Sequence, residues 1–200
     1  VLTISTVSGG GASTVSPLFG AALWTLDYTI RATTLDIKRT YFHHGTIGAC
    51  YYCFWGSSLV NAPYYGAYTA TAFLAGGSYI SALDSGADSY GGYIVYDSLK
   101  TPLRGLLYNS NYYSGTGTRS NQVFTIGGLG ALGEVKAKRL TATSASSRVD
   151  EGQNPSFGGQ TFANTTCEIE GTEVFESTAV KNGVASFTVG ESEAVLFYLQ

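Results

Sequence analysis

Cys50-Tyr51-Tyr52-Cys53 follows closely on His43-His44, and the third cysteine, Cys167, stands far downstream. Residues of these types at this spacing offer three chemistries: a tetrahedral metal site, a redox dithiol or a structural disulfide. Neighbouring residues of a strand point to opposite faces, so His43 and His44 cannot both reach one ion, and no metal site is expected. A redox CxxC opens a helix in a thioredoxin-like unit, and this one lacks that context. A local Cys50–Cys53 disulfide is the favoured reading. Cys167 is then an odd thiol, an interchain candidate whose partner lies outside this chain.

Other nucleophile and phosphate patterns are weak. No Gly-x-Ser-x-Gly elbow occurs, and a Ser/His/Asp triad would have to draw on one of two adjacent histidines. Gly9-Gly10-Gly11 sits between a strand-like and a helix-like run. It lacks the Lys-Ser/Thr of a P-loop and the spacing of a dinucleotide turn. Its bare amides still suit a carboxylate or other anion; the alternative is a strand-to-helix turn that needs positive φ. Gly128, Gly130 and Gly133 have the Gly-x-Gly-x-x-Gly spacing, but between strands with no helix after them, and read as a loop. No cofactor is expected.

The composition narrows the partners. Net charge is −3, with 11 Lys and Arg scattered among 200 residues, so there is no basic stripe for phosphates or for an anionic membrane surface. No apolar run approaches the ~20 residues of a spanning helix. The 15 tyrosines suit half-buried sheet positions. The chain contains no Met and begins at Val1 without a signal-peptide pattern, which reads as a processed product. Asn164-Thr165-Thr166 is an N-glycosylation acceptor, whereas Asn154-Pro155-Ser156 is excluded by its proline. Together with the cysteines it points to a secreted, extracellular protein.

These groups need elements to hold them. Val1–Val7 reads as a strand. A helix is expected from Pro17 to about Thr34, with Ser16 as its cap and Leu18, Ala22, Leu26 and Ile30 on one face. A β-rich run follows at 37–42, then a long loop. Asn61 caps a second, thin helix with Pro63 in its first turn, ending at Gly76-Gly77. This strand–helix–strand–helix order reads as two βα units of a parallel architecture. Such strands are covered on both faces, so either neighbours in another chain complete residues 1–76, or the segment repacks on the rest. Beyond Ser78 short strands alternate with turns, at 93–96, 103–108, 123–126, 135–140 and 194–199. Lys181-Asn182-Gly183-Val184 is the strongest hairpin signal. The expected class is α+β: a partial α/β segment over 1–76, then an antiparallel β-sandwich over 77–200.

Several runs resemble glycoside hydrolase family 79, the family of β-glucuronidases and heparanase-like enzymes, and its fungal members in particular. They are Val7-Ser8-Gly9-Gly10-Gly11-Ala12, Phe19-Gly20-Ala21-Ala22-Leu23-Trp24-Thr25-Leu26-Asp27-Tyr28, Phe42-His43-His44-Gly45-Thr46-Ile47-Gly48 and Asn61-Ala62-Pro63-Tyr64-Tyr65-Gly66-Ala67-Tyr68. Pro102-Leu103-Arg104, Tyr108-Asn109-Ser110 and Gly158-Gly159-Gln160-Thr161-Phe162-Ala163-Asn164 resemble the family's C-terminal β domain. The resemblance implies that 1–76 are the last two βα units of a (β/α)8 barrel and that the reaction is a retaining hydrolysis by two glutamates. The acid belongs to an earlier strand that this chain lacks. The position of the nucleophile falls on Thr3, whose hydroxyl is no ionised carboxylate. Gly9, Gly10 and Gly45 fall where the family holds the uronate carboxylate, while the loop tyrosine of some members falls near Ile47.

The expected function is therefore that of the C-terminal chain of a secreted family 79-like glycoprotein, not catalytic as this chain alone, with a carbohydrate-binding role of a lectin-like, host-interacting or immunomodulatory kind. The alternatives are a fragment of an active β-glucuronidase or heparanase-like hydrolase, and a structural scaffold for a partner chain. A second chain from the N-terminal part of the same precursor is the expected partner, with a glycan as ligand and neither nucleic acid nor membrane.

Overall fold

The computed structural model of the protein describes residues 2–4, 11–43, 53–130 and 132–200. Chain order runs β1 (Leu2–Ile4), α1 (Phe19–Thr34), β2 (Thr40–Phe42), α2 (Ala62–Leu74), β3 (Tyr79–Ala82), β4 (Tyr90–Tyr96), β5 (Pro102–Asn109), β6 (Asn121–Ile126) and β7 (Glu134–Thr141). A 3-10 turn at Val149–Glu151 precedes β8 (Ser156–Phe157), β9 (Thr161–Phe162), β10 (Ile169–Glu170), β11 (Glu176–Ala179), β12 (Ala185–Gly190) and β13 (Glu193–Tyr198). The molecule is α+β, with few helices and a mostly antiparallel sheet.

A seven-stranded antiparallel sheet organises everything else, in the order β11-β7-β13-β5-β4-β3 with β8 beside β7. Its central strands are the most apolar in the chain: Ala194 to Phe197 of β13 and Leu106 and Leu107 of β5 have 0–1% exposure. Alternate side chains of a strand face opposite ways. Tyr93, Val95, Leu106, Leu140 and Leu196 therefore meet the helices, through Phe19, Leu26, Ile30, Tyr65 and Phe73. Ile94, Leu107, Ala137, Val195 and Phe197 point the other way and meet Phe187 and Val189 of β12. Among the described residues the opposite layer is the antiparallel pair β12–β6.

The helices differ from expectation in detail. Ser16 does not cap α1: its hydroxyl accepts from the Ala12 amide at 2.9 Å, and the cap position falls on Leu18 without a side-chain bond. The first free amides are instead taken by a loop of the sheet domain, Phe19 donating to the Ser147 carbonyl at 2.9 Å and Gly20 to Ala145 at 2.8 Å. Helix amides need acceptors from some source, and here the source is tertiary. Asn61 holds the cap position of α2, yet its side chain turns back to donate to the Cys53 carbonyl at 2.6 Å.

α2 is thin where expected and lies close on α1. A Cβ on Gly66 would sit 2.0 Å from the Ala22 carbonyl oxygen. The apolar faces of both helices are covered by the sheet. A single core cluster joins residues on either side of Gly76-Gly77. β1 and β2 pair in parallel, with Thr3 opposite Tyr41, and form a two-stranded sheet among the described residues. The Asn182-Gly183 turn is present with φ of 52° and 75°, as a type I′ turn demands. It closes one antiparallel bridge, Lys181–Val184, beyond which the strands part, β11 pairing with β7 and β12 with β6. The turn hands the chain from one layer to the other.

An ionic clamp fixes α1 to the edge of the sheet. Arg31 bonds Asp84 at 2.5 Å and lies 4.9 Å from the centre of the Tyr93 ring. Asp84 also accepts from the Gly86 and Gly92 amides at 2.7 and 2.8 Å. Burial by itself would raise the Asp84 carboxyl, but the Gly92 amide, Arg31 and the Gly86 amide outweigh it and hold the group below its ordinary value.

Two outcomes follow from this packing. Gly66→Ala should force the helices apart and cost about 2–3 kcal/mol in denaturant unfolding. Asp84→Asn should cost about 1–2 kcal/mol at neutral pH. A depressed folded-state pKa contributes fully above the unfolded value of about 4 and is lost as pH falls through the folded one. The gap between wild type and Asp84→Asn in thermal melts should therefore hold from pH 7 to 5 and close below about pH 4.

Candidate functional site

The parallel pair β1–β2 contains one of the sequence-predicted positions. Thr3 holds the register position opposite Tyr41. Gly9, Gly10, Gly45 and Cys50, and with them His44, lie outside the described residues. His43, at the end of β2, is exposed.

Aromatic packing sets the orientation of β2. Phe42 meets Trp24 and Tyr28 of α1 edge-on, with ring centres 5.7 and 6.3 Å away, and Phe54 at 5.4 Å. Successive residues of a strand alternate faces, so Tyr41 is directed away from α1, and it is 44% exposed. α1 thus fixes which face of β2 is free.

The chain returns through a compact turn that the sheet domain pins. Gly56 donates to the Leu59 carbonyl and Asn61 to that of Phe54, at 2.7 and 2.9 Å. Thr165, in the loop after β9, donates to the Ser58 carbonyl at 2.7 Å. Behind this turn Tyr65 contacts Thr161 through its hydroxyl at 2.7 Å and accepts from the Phe162 amide at 3.0 Å. Phe162 packs edge-on against both Tyr64 and Tyr65, with ring centres 5.3 and 5.1 Å apart. Trp55, next to Phe54, is 44% exposed and meets the Tyr64 ring edge-on. Tyr41 and Trp55 are exposed aromatic surfaces of the kind that stack on sugar faces. Sequence reasoning did not single them out; the density of aromatic residues around Cys53 was the available signal.

Cys53 is held in a disulfide, but Cys50, the partner expected for it, lies outside the described residues, and among those residues no complete disulfide occurs. Cys167 carries a free thiol, half-buried against the helix-side core, with its backbone at φ 61°. Asn164 is exposed in a turn and accepts from the Asn154 side-chain amide at 3.3 Å. Among the described residues no group of His, Cys, Asp and Glu has the geometry of a metal site. No described helix is long and apolar enough to cross a membrane.

A second hollow, about 600 Å³, lies along the flank of α1 turned away from α2 and is lined by Trp24, Asp27, Arg31, Asp88, Tyr108 and Tyr112. The Tyr93 hydroxyl donates to Asp27 at 2.6 Å. Burial and the nearby Asp27 push the Tyr108 phenol up to about 12, and burial with the Asp27 bond raises Tyr93 further. Both phenols stay protonated at physiological pH and act as donors. The Tyr93–Asp27 bond and the Arg31 clamp fix α1 against the sheet.

A family profile described as the Glycosyl hydrolase family 79 C-terminal beta domain matches residues 92–196. Among solved structures, a 4-O-alpha-L-rhamnosyl-beta-D-glucuronidase from Fusarium oxysporum 12S, in complex with Rha-GlcA, is 46% identical with a TM-score of 0.93, over 98% of this chain and 42% of that one. The chain thus spans less than half the length of that relative. Two further structures share the fold alone. The GH30 xylanase C of Talaromyces cellulolyticus has 11% identity and a TM-score of 0.53, over 98% of this chain and 37% of its own. The GH51 arabinofuranosidase of Xanthomonas axonopodis pv. citri has 11% and 0.52, over 90% and 35%. No curated protein matches the chain. The helix-backed sheet, the profile over its strands and the identity extending through both helices lead to one assignment: the chain belongs to glycosyl hydrolase family 79 and carries its C-terminal β domain.

Proposed function

We propose that this chain is the C-terminal part of a secreted, β-glucuronidase-like family 79 glycoprotein, and that it binds a uronate-bearing glycan without cleaving it. The observation that carries the reading is the composition of the strand pair: Leu2-Thr3-Ile4 and Thr40-Tyr41-Phe42 contain no carboxylate. A retaining glycosidase needs two, roughly 5–5.5 Å apart, and Thr3 offers a hydroxyl where the family resemblance puts the nucleophile. The glycine amides of Gly9, Gly10 and Gly45 would take the uronate carboxylate, and Tyr41 and Trp55 would flank the sugar. The relative with Rha-GlcA bound supports a glucuronate-containing glycan as the ligand class.

The architecture supports the longer protein. The β1–α1–β2 order with parallel strands is the unit from which (β/α)8 barrels repeat, and the hollow along α1 would receive the helix of a preceding unit. The sheet domain is then the brace of the barrel, clamped through Arg31–Asp84 and the α1 amides. Secretion rests on the cysteines and on Asn164, whose exposure suits a glycan. Cys167 would bond a second chain from the same precursor. The 46% identity with a glucuronidase favours a second reading, an active hydrolase of which this is one part.

Hydrolysis separates the readings. The full-length protein should bind a rhamnosyl-glucuronate disaccharide in calorimetry and release nothing from aryl β-glucuronides, as should this chain alone. Thr3→Glu in the full-length protein should restore turnover, and turnover by the wild type at family rates would establish the hydrolase reading instead. Nonreducing electrophoresis of native material should show a species larger than 21.1 kDa that resolves into two sizes on reduction. A single band under both conditions would remove the interchain bond.

A further inference from the structure

The glycosylation acceptor and the turn after β2 meet at one place. Asn164, Thr165 and Thr166 form the tip of the loop after β9 and are exposed. Two backbone bonds close the tip, Ala163 donating to the Glu168 carbonyl at 2.7 Å and Cys167 to that of Ala163 at 3.0 Å. Thr165 takes a φ of 95°, rare for a β-branched residue, and its amide is held by the Ser58 carbonyl at 2.7 Å. The acceptor is therefore seated on the turn.

The Asn164 amide is oriented as well as exposed. Its oxygen accepts from the Asn154 side chain at 3.3 Å, and Asn154 also donates to the Phe162 carbonyl at 3.2 Å. The nitrogen, the atom that carries a sugar, is the opposite end of that planar amide. Asn154-Pro155-Ser156 is removed as an acceptor by its proline, and its asparagine serves instead to aim the neighbouring one.

The surface beside the acceptor suits a sugar. Gly56, Ser57 and Ser58 lie between the tip and Trp55, with both serines exposed, and a bridge from Trp55 to Val60 closes the turn. Trp55 is 44% exposed. Its ring meets Tyr64, and Tyr64 meets Phe162 just before Asn164, with centres 6.1 and 5.3 Å apart. An indole offers the apolar face of a sugar ring a broad surface with a polar handle, and serine hydroxyls both donate and accept.

We infer that an N-linked glycan on Asn164 lies back across the turn at 56–58, with its first sugars against the Trp55 ring, and so ties the turn after β2 to the sheet domain. The inference rests on the reading of the protein as a secreted glycoprotein. Attachment draws on an oligosaccharide linked to a lipid diphosphate. The bond from the Asn164 nitrogen to the anomeric carbon forms, the bond from that carbon to the diphosphate oxygen breaks, and one amide proton is lost. Trp55 is also proposed to flank a bound uronate, so the tethered glycan forms a wall of that site on the side of the sheet domain.

The test uses the full-length protein secreted from a eukaryotic host. Glycopeptide mapping should find Asn164 occupied in the wild type and in Thr166→Ser, and empty in Thr166→Ala, which keeps the Asn164 side chain and its bond to Asn154. Hydroxyl-radical footprinting should spare Trp55 in the two glycosylated forms and oxidise it in Thr166→Ala. Exchange of the Gly56 and Asn61 amides, both bonded within the turn, should be about tenfold slower with the glycan than without it. Enzymatic removal of the glycan from the folded wild type, which leaves an aspartate in place of Asn164, should reproduce the Thr166→Ala result. Equal oxidation of Trp55, or equal exchange in the turn, with and without the glycan overturns the inference and leaves the glycoprotein reading standing. An empty Asn164 in the wild type overturns both.

Discussion

Burial of the central strands on both faces is the constraint from which the rest follows. β13 and β5 lie side by side with almost nothing exposed between Ala194 and Phe197 or at Leu106 and Leu107. Each fully buried side chain of this size contributes about 1.5–3 kcal/mol, which is available only while both layers stay in place. The helices are thus part of the sheet's core: Phe19, Leu26, Ile30 and Phe73 are its covering on one side, and Phe187 and Val189 on the other. Gly105 shows how close the fit is, since a Cβ there would meet the Phe197 ring at 1.9 Å.

Polar groups at the rim of this core register the layers. Glu193, at the start of β13, bonds Arg119 at 2.5 Å and Arg139 at 2.6 Å, while Arg139 also reaches Glu176 of β11. Burial would raise the Glu193 carboxyl, but Arg139, Thr141 and the Gly190 amide hold it below its usual range. A buried acid with these partners is satisfied and specifies one alignment of β7, β11 and β13. Arg31–Asp84 does the same between α1 and the loop after β3.

These contacts link fold to function through position. α1 presses on Phe42 and so selects the face of β2 that carries Tyr41. The loop after β9 holds the turn at 53–61 through Ser58. The sheet domain therefore reaches the strand pair at two points, by the helix and by the returning loop.

The order of elements, the antiparallel character of residues 78–200 and the family were all legible from local signals: Pro63 after Asn61, Asn182-Gly183, and alternating apolar strands. The family resemblance, not spacing, put Thr3, Gly9, Gly10 and Gly45 at one site, and of these Thr3 alone lies among the described residues. Sequence could not tell that Ser16 would release the helix start to Ser147 and Ala145, because those acceptors lie more than a hundred residues away. Nor could it tell that beyond the Lys181–Val184 bridge the chain parts into two layers, since a turn fixes the direction of the chain and not its farther neighbours. The apolar faces of α1 and α2 predicted a cover without naming it. Only the tertiary structure could assign that cover to the sheet, because burial is decided by all layers at once.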